Sequence, residues 1–326
     1  MPLHENPFGQ LLVALVTPFT PDGDIAWTDL ECHIDEVVHG GVEGIVVAGT
    51  TGESSTLSDQ EKIRLVKVTS EVVGNRATVV FGGGASDTAH AIEQYRVSAA
   101  AGADAIMVAA PAYIRPSQEG ILAHVRAIAD AADRPVMLYD VPARTGVGFD
   151  LSTLLRAAEH PAICAVKDAA CDLARAAYLI EASDLLYFAG SDAAALPTLA
   201  IDGAGIVSVA ANVAPVAYRQ LLDAVAAGEL RSATAIHRRI EPLVRALNDF
   251  APPAVATKLV LHALGRIDSP RVRLPLVGPD HAAAEGIHRE LDRVRSLHGA
   301  KTAGIRLDLA AATGGALAAS GRGPRA

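Results

Sequence analysis

Cysteine, lysine and aromatic side chains are all scarce in this chain of 326 residues. The three cysteines, Cys32, Cys164 and Cys171, show no CxxC pairing. Their spacing offers no metal or redox motif, and the odd count suits reduced thiols, so a cytoplasmic location is expected. Long apolar runs are missing too: glycine, proline or charge interrupts each one well before the ~18 residues that suggest a membrane span. Met1 to Gln10 has neither the basic start nor the apolar stretch of a secretory leader, and none is expected. Positive charge is outweighed, 28 Lys and Arg against 37 Asp and Glu, for a formal net charge of −9. That balance argues against nucleic acid or an anionic membrane as a main partner.

Nucleotide-binding signatures are absent as well. The first apolar run leads into Val16-Thr17-Pro18-Phe19 rather than a glycine fingerprint. Gly203-Ala204-Gly205 lacks the third glycine and precedes a strand instead of opening a helix, and no GK[ST] follows any glycine-rich loop. The group Cys32, His33, Asp35, Glu36 and His39 has metal-ligand chemistry by composition. On a surface helix it is expected to be a solvated face, with no metal.

What the chain does have is half its residues hydrophobic and a regular alternation of two patterns. Strand-like runs at Leu11–Val16, Gly44–Ala48, Thr78–Phe81, Ala105–Ala109, Val136–Tyr139, Ile163–Val166, Leu185–Ala189 and Gly205–Val209 are apolar along their length. Amphipathic helical stretches separate them, at Thr28–His39, Ser58–Val73, Asp87–Ala101, Gln118–Ala131, Leu151–Ala158, Asp172–Ala182 and Ala193–Ile201. Continuous apolar strands between helices imply a parallel sheet buried on both faces. Eight such units predict an α/β fold, a (β/α)8 TIM barrel, over residues 1–228. Helical periodicity at Val216–Ala226, Leu230–Phe250, Val255–Leu264 and Ala282–Leu297 predicts a C-terminal helical extension, assigned to 229–298, with Pro252-Pro253 and Pro275 as breaks. The Ala- and Gly-rich stretch 299–326 is expected to be a mobile tail.

In such a barrel the reacting groups come from the C-terminal ends of the strands. The sixth run delivers Lys167, one of only five lysines with Lys62, Lys67, Lys258 and Lys301. Lys62 and Lys67 fall on a polar helical stretch, where a solvated ammonium costs nothing. Lys167 follows an apolar strand, where lost solvation favours the neutral amine that attacks carbonyls. The plain alternative is a strand-end lysine reaching out to water. After the second run, Gly49-Thr50-Thr51-Gly52-Glu53-Ser54 combines turning glycines with hydroxyl donors, a cradle for a small carboxylate or simply a capped turn. Tyr113 follows the fourth run among prolines, Tyr139 ends the fifth, and Arg144 lies in the loop beyond it, a carboxylate-binding fork. Gly82-Gly83-Gly84 is expected to relieve crowding, and Gly205 to Ser208 to close the site floor. Together these groups describe Schiff-base chemistry on a 2-keto acid, with no cofactor beyond the covalent imine on Lys167.

Four motifs carry a resemblance: Gly-Thr-Thr-Gly-Glu-Ser at 49–54, Tyr-Ile-Arg-Pro-Ser-Gln-Glu-Gly at 113–120, Tyr-Asp-Val-Pro-Ala-Arg-Thr-Gly at 139–146 and Val-Lys-Asp-Ala at 166–169. From Leu11 to Pro279 the chain resembles the dihydrodipicolinate synthase (4-hydroxy-tetrahydrodipicolinate synthase) family. That family sits in the pyruvate-dependent class I aldolase superfamily, which includes N-acetylneuraminate lyase. The resemblance implies a lyase that condenses pyruvate with L-aspartate 4-semialdehyde in lysine and diaminopimelate biosynthesis. It implies Lys167 as the imine-forming lysine and Tyr139 as the acid/base beside it. Thr51 matches a relay threonine, and Thr50 helps hold the pyruvate carboxylate. Tyr113 matches a relay tyrosine inserted into the neighbouring subunit's site. Arg144 matches the arginine that binds the semialdehyde carboxylate, and Val207 offers a backbone carbonyl near pyruvate. A homotetramer built from tight dimers is implied, with the C-terminal helices assisting assembly.

Within the superfamily, Arg144 discriminates, since neuraminate lyases resemble Ala-Leu-Ser-Gly where this chain has Ala-Arg-Thr-Gly. A related aldolase or dehydratase acting on 2-keto-3-deoxy sugar acids or 4-hydroxy-2-oxoglutarate is the alternative. It shares the lysine and tyrosine but needs hydroxyl-reading groups in place of Arg144. A catalytically silent assembly subunit would have lost Lys167, Tyr139, Thr51 or Tyr113, and none is lost. Two departures stand out. Ala112 replaces a tyrosine common in the family, so interface packing is expected to differ. Asp59, Lys62, Ser86 and His90 occupy the positions aligned with the cleft of lysine-inhibited members, so weak or absent inhibition by lysine is expected.

Overall fold

The computed structural model describes residues 6–298; the tail expected over 299–326 lies outside the described residues. Eight strands pair in parallel and in sequence order: β1 (Leu11–Ala14), β2 (Gly44–Val47), β3 (Thr78–Phe81), β4 (Ala105–Ala109), β5 (Val136–Asp140), β6 (Ile163–Asp168), β7 (Leu186–Ala189) and β8 (Gly205–Ser208). β8 closes on β1, with Val207 opposite Leu12, so the sheet is the closed barrel that eight apolar runs predict.

Helices α1 (Trp27–His39), α2 (Asp59–Val73), α3 (Thr88–Ala100) and α4 (Gln118–Ala131) follow the first four strands. α5 (Pro142–Thr145) and α6 (Leu151–Ala158) follow β5; α7 (Leu173–Ala182), α8 (Ala195–Leu199) and α9 (Pro215–Ala226) follow the last three. Capping chemistry sets where several of them begin. Ser58 caps α2 and exchanges hydrogen bonds with Glu61 three residues on, a capping box. Asp87, Ser117 and Asp172 cap α3, α4 and α7 by accepting a backbone N–H. After α9 come α10 (Leu230–Asn248), α11 (Pro253–Ala263) and α12 (His281–His298). α11 starts two residues before the expected Val255, with Pro253 in its first turn, where a missing N–H costs nothing. Pro242 lies inside α10 without ending it.

Two apolar layers hold the barrel. Inside it, Leu12, Val46, Val80, Met107, Met137, Ala165, Phe188 and Val207 form one cluster with Phe8, which meets Phe188 edge-on at a centroid distance of 6.0 Å. A Cβ added at Gly205 would stand 2.8 Å from the Phe188 ring and 2.2 Å from the Gln10 carbonyl oxygen, so only glycine fits there. Outside it, the opposite strand faces join the helices and α10 to α12 in a single larger cluster that takes in Leu243, Leu247, Leu261 and Leu291. Period-two alternation assigns the strand residues to one layer or the other, except at the β5–β6 register shift, where Cys164 and Ala165 both join the inner layer.

One member of the expected solvated face of α1 turns inward. His33 is buried, and its Nε2 lies 3.0 Å from Asn212 Oδ1 beyond β8. Asn212 itself donates to the Ala14 carbonyl and accepts from the Val16 N–H, tying α1 to the β1–β8 seam. Burial holds the imidazole down to about 4 from an ordinary 6.5. The unfolded chain binds the extra proton between those values, so stability must fall as pH falls through that window, by about 3 kcal/mol. Denaturant unfolding across the window checks this: the wild type should lose stability on acidification, and His33→Gln should show a flatter profile.

Candidate active site

Tyr139 and Lys167 are register partners across β5 and β6, as are Asp140 and Asp168 one residue on. Alternation sends Tyr139 and Lys167 into the barrel, and the two aspartates outward to the helix layer. Lys167 is 5% exposed, and its Nζ stands 4.1 Å from the centroid of the Tyr139 ring. The ring face covers one side of the buried amine. β6 does not stop at Val166, as its apolar run suggests. Asp168 continues the ladder opposite Ala189, and the Ala169 N–H donates to the Asp140 carbonyl at 2.8 Å. Lys167 therefore sits within the strand, held by backbone on both sides, and does not reach out to water from a loop.

Behind this pair lies a polar cluster that the sequence reading missed. Arg175 of α7 donates through one Nη to Asp140 Oδ2 at 2.6 Å and Asp168 Oδ1 at 2.9 Å, and through the other to the Phe149 carbonyl at 2.9 Å. The Tyr187 hydroxyl donates to Asp168 Oδ2. Burial pushes the Asp140 carboxyl above its usual range, and the Arg175 guanidinium opposes that shift. The cluster clamps the outer faces of β5, β6 and β7, fixing the backbone from which Tyr139 and Lys167 project. Its sequence signal was an aspartate directly after each of those two residues.

The mouth is formed by loops. Thr51 is buried and Thr50 exposed in the turn after β2. The glycines there do not supply the left-handed residues: Ala48 (φ +52°) and Glu53 (φ +58°) do, at either end of the turn. Arg144 lies on α5, a single helical turn begun by Pro142 and ended by Gly146 at φ +78°, where the sequence suggested loop. A cleft of about 460 Å³ is lined by Thr50, Lys62, Tyr95, Tyr139, Arg144 and Thr145 among others. Lys62 is thus no free surface lysine; its side chain is 12% exposed and 3.5 Å from Asp59, which also meets His90 at 3.1 Å. A Cβ on Gly84 would lie 2.2 Å from the Tyr95 hydroxyl, so the triple glycine does relieve crowding beside this cleft.

Lys167, seated against Tyr139, is not part of the cleft lining, and neither are Thr51 and Val207. Val207 is wholly buried among the inner-barrel side chains. Tyr113 is set apart from all of these: it is 94% exposed at φ +74°, in a loop where Arg115 is also left-handed (φ +45°). Among the described residues no group of three or more His, Cys, Asp and Glu could hold a metal ion, and no helix is long and apolar enough to cross a membrane.

The family model described as the dihydrodipicolinate synthetase family matches residues 7–293. The 4-hydroxy-tetrahydrodipicolinate synthase 1 of Streptomyces coelicolor is 44% identical over 282 residues, spanning 86% of this chain and 92% of its own length. Dihydrodipicolinate synthase from Acinetobacter baumannii, solved in complex with pyruvate, superposes with a TM-score of 0.84 at 35% identity, over 88% of this chain and 99% of that one. The enzyme from Cyanidioschyzon merolae, solved with lysine bound, gives 0.85 at 35% identity, over 89% and 99%.

Proposed function

Since the chain belongs to the dihydrodipicolinate synthetase family, we propose that it condenses pyruvate with L-aspartate 4-semialdehyde to 4-hydroxy-tetrahydrodipicolinate. The observation that carries this reading is the in-register placing of a buried Lys167 against Tyr139, whose side chain also lines a cleft with Thr50 and Arg144. The Lys167 amine, as free base, attacks the keto carbon of pyruvate, and loss of one water gives the imine. The cationic imine acidifies the adjacent methyl, whose proton leaves to give an enamine. That carbon then attacks the aldehyde carbon of the second substrate, and the new alkoxide takes up a proton. The product's own amine displaces Lys167 as the ring closes, so one water is released overall and no redox partner or external cofactor enters.

In this reading Tyr139 moves the protons at the imine, with Thr51 and Tyr113 as its relay. Thr50 and Thr51 hold the pyruvate carboxylate, the Val207 backbone carbonyl lies near bound pyruvate, and Arg144 binds the carboxylate of the semialdehyde. The exposure of Tyr113 supports a second copy of the chain as its surroundings, and we read the assembly as a homotetramer of tight dimers working in the cytoplasm. Arg144 is also what disfavours the sugar-acid aldolase alternative, because a guanidinium reads a carboxylate better than a polyol.

Turnover of pyruvate with aspartate semialdehyde, coupled to dihydrodipicolinate reductase and read as NADPH loss, tests the assignment. A kcat/KM within ~10⁴–10⁸ M⁻¹s⁻¹ is expected; negligible turnover by folded protein would move it to the sugar-acid aldolases. Arg144→Ala should raise KM for the semialdehyde about 10- to 100-fold, the worth of a charge-assisted contact, with KM for pyruvate little changed. Equal losses for both substrates would remove its assigned role.

A further inference from the structure

The second buried lysine lies outside the mechanism above. Lys258 of α11 has no exposed surface, and neither does the side chain of Glu53, which it meets at 2.5 Å through Nζ and Oε1. The ammonium also donates to the Arg271 carbonyl at 3.0 Å and lies 3.8 Å from the centroid of the Phe19 ring. The other carboxylate oxygen of Glu53 accepts the Arg273 backbone N–H at 2.9 Å. Both oxygens of Glu53 are therefore engaged by the C-terminal segment, more than 200 residues along the chain.

Glu53 is also the residue that closes the Thr50–Thr51 turn. Its N–H donates to the Thr50 carbonyl at 3.1 Å, and the next N–H, of Ser54, donates to the Gly49 carbonyl at 3.2 Å. Closing the turn this way requires φ +58° at Glu53, a left-handed conformation that a side-chain-bearing residue adopts only when its surroundings hold it. Thr17 Oγ1 donates to the Gly52 carbonyl at 2.8 Å and anchors the turn at the preceding residue. Stability alone gives little reason for such a pair. Two charges removed from water repay their desolvation poorly, and an apolar pair of like volume would serve a core as well. What an apolar pair lacks is directional bonding to a strained turn. It also matters that Lys258 balances a carboxylate placed two residues from the hydroxyl of Thr51, where an uncompensated negative charge would repel an anionic substrate.

We propose that Lys258 and Glu53 are positioning residues, through which α11 sets the geometry of the Thr50–Thr51 turn that holds the carboxylate of the keto acid. The inference rests on the reading of that turn as the pyruvate-carboxylate site. It makes the C-terminal helices part of the active-site architecture.

The test uses the full chain in three variants, Lys258→Met, Glu53→Gln/Lys258→Met and Thr51→Val. Each is assayed for KM of both substrates, for kcat and for thermal unfolding. Lys258→Met strands a buried carboxylate and risks unfolding; the double variant removes that charge while keeping the shape. In the folded double variant KM for pyruvate should rise about tenfold, the scale on which small misplacements of binding groups register, with KM for the semialdehyde unchanged. Wild-type KM for pyruvate in the folded double variant overturns the proposal. An equal rise for both substrates, or failure of both Lys258 variants to fold, also overturns it by assigning the pair to stability alone. Thr51→Val separates the turn's role from the positioning role: unchanged KM for pyruvate there removes the first, whereas a raised value beside an unaffected double variant removes only the second.

Discussion

Replacing Lys167 with alanine is expected to lower kcat/KM by about 10⁴-fold or more, because in the proposed reaction it removes the nucleophile and not an accessory group. The same variant should no longer be inactivated by borohydride in the presence of pyruvate. The expectation follows from position: Lys167 sits in the β6 ladder, 5% exposed, against the Tyr139 ring. Lys62, which lines the cleft, is held beside Asp59 on α2. Lys258 is enclosed with Glu53 and offers no access to a substrate carbonyl. Alanine at 167 leaves the Arg175 cluster on the outer strand faces untouched, so the variant should fold, and near-native thermal unfolding would confirm that the loss is chemical. Persistent trapping would place the imine on another lysine.

Tyr139→Phe is the second large effect, a fall in kcat of about 10²–10⁴-fold, the usual span for a positioned acid/base. The phenyl ring keeps the surface against which Lys167 lies, so the amine should stay in place and only proton movement should suffer. Exchange of the pyruvate methyl hydrogens with deuterated solvent isolates that step without the second substrate. Slow exchange is expected with residual imine trapping; exchange at the wild-type rate would move the proton-transfer role elsewhere.

Much of this architecture could be read from the chain because parallel barrel strands are apolar on both faces and leave uninterrupted runs. Two of the eight runs, Thr78–Phe81 and Ala105–Ala109, coincide with β3 and β4. The others differ at one end by one or two residues, and the reasons are local. β6 outlasts its apolar run because Lys167 and Asp168 continue the ladder, and a charged pair carries no hydrophobic signal. α5 is a four-residue turn between Val141 and Gly146, too short for periodicity to show.

At the site, Tyr139 and Lys167 stood out because aromatic residues and lysines are few and both lie where an apolar run ends. The Arg175 cluster was half visible, as aspartates following each of them, but its arginine comes from a helix whose rotation the sequence does not state. Glu53 and Lys258 were invisible as a pair: their separation along the chain encodes nothing, and only closure of the barrel under α11 brings them together. His33 misled for a related reason. Its neighbours on α1 do face outward, with Asp35 on Arg76 and Glu36 on Arg266, and one residue of the patch turns in to meet Asn212.

In the proposed reaction pyruvate is held as an imine on Lys167. Borohydride reduction of the wild-type protein with pyruvate, followed by proteolysis and mass mapping, tests it most directly. One reduced pyruvyl adduct per chain is expected, on the peptide and residue of Lys167. An adduct on any other lysine, or none from folded protein, would contradict it.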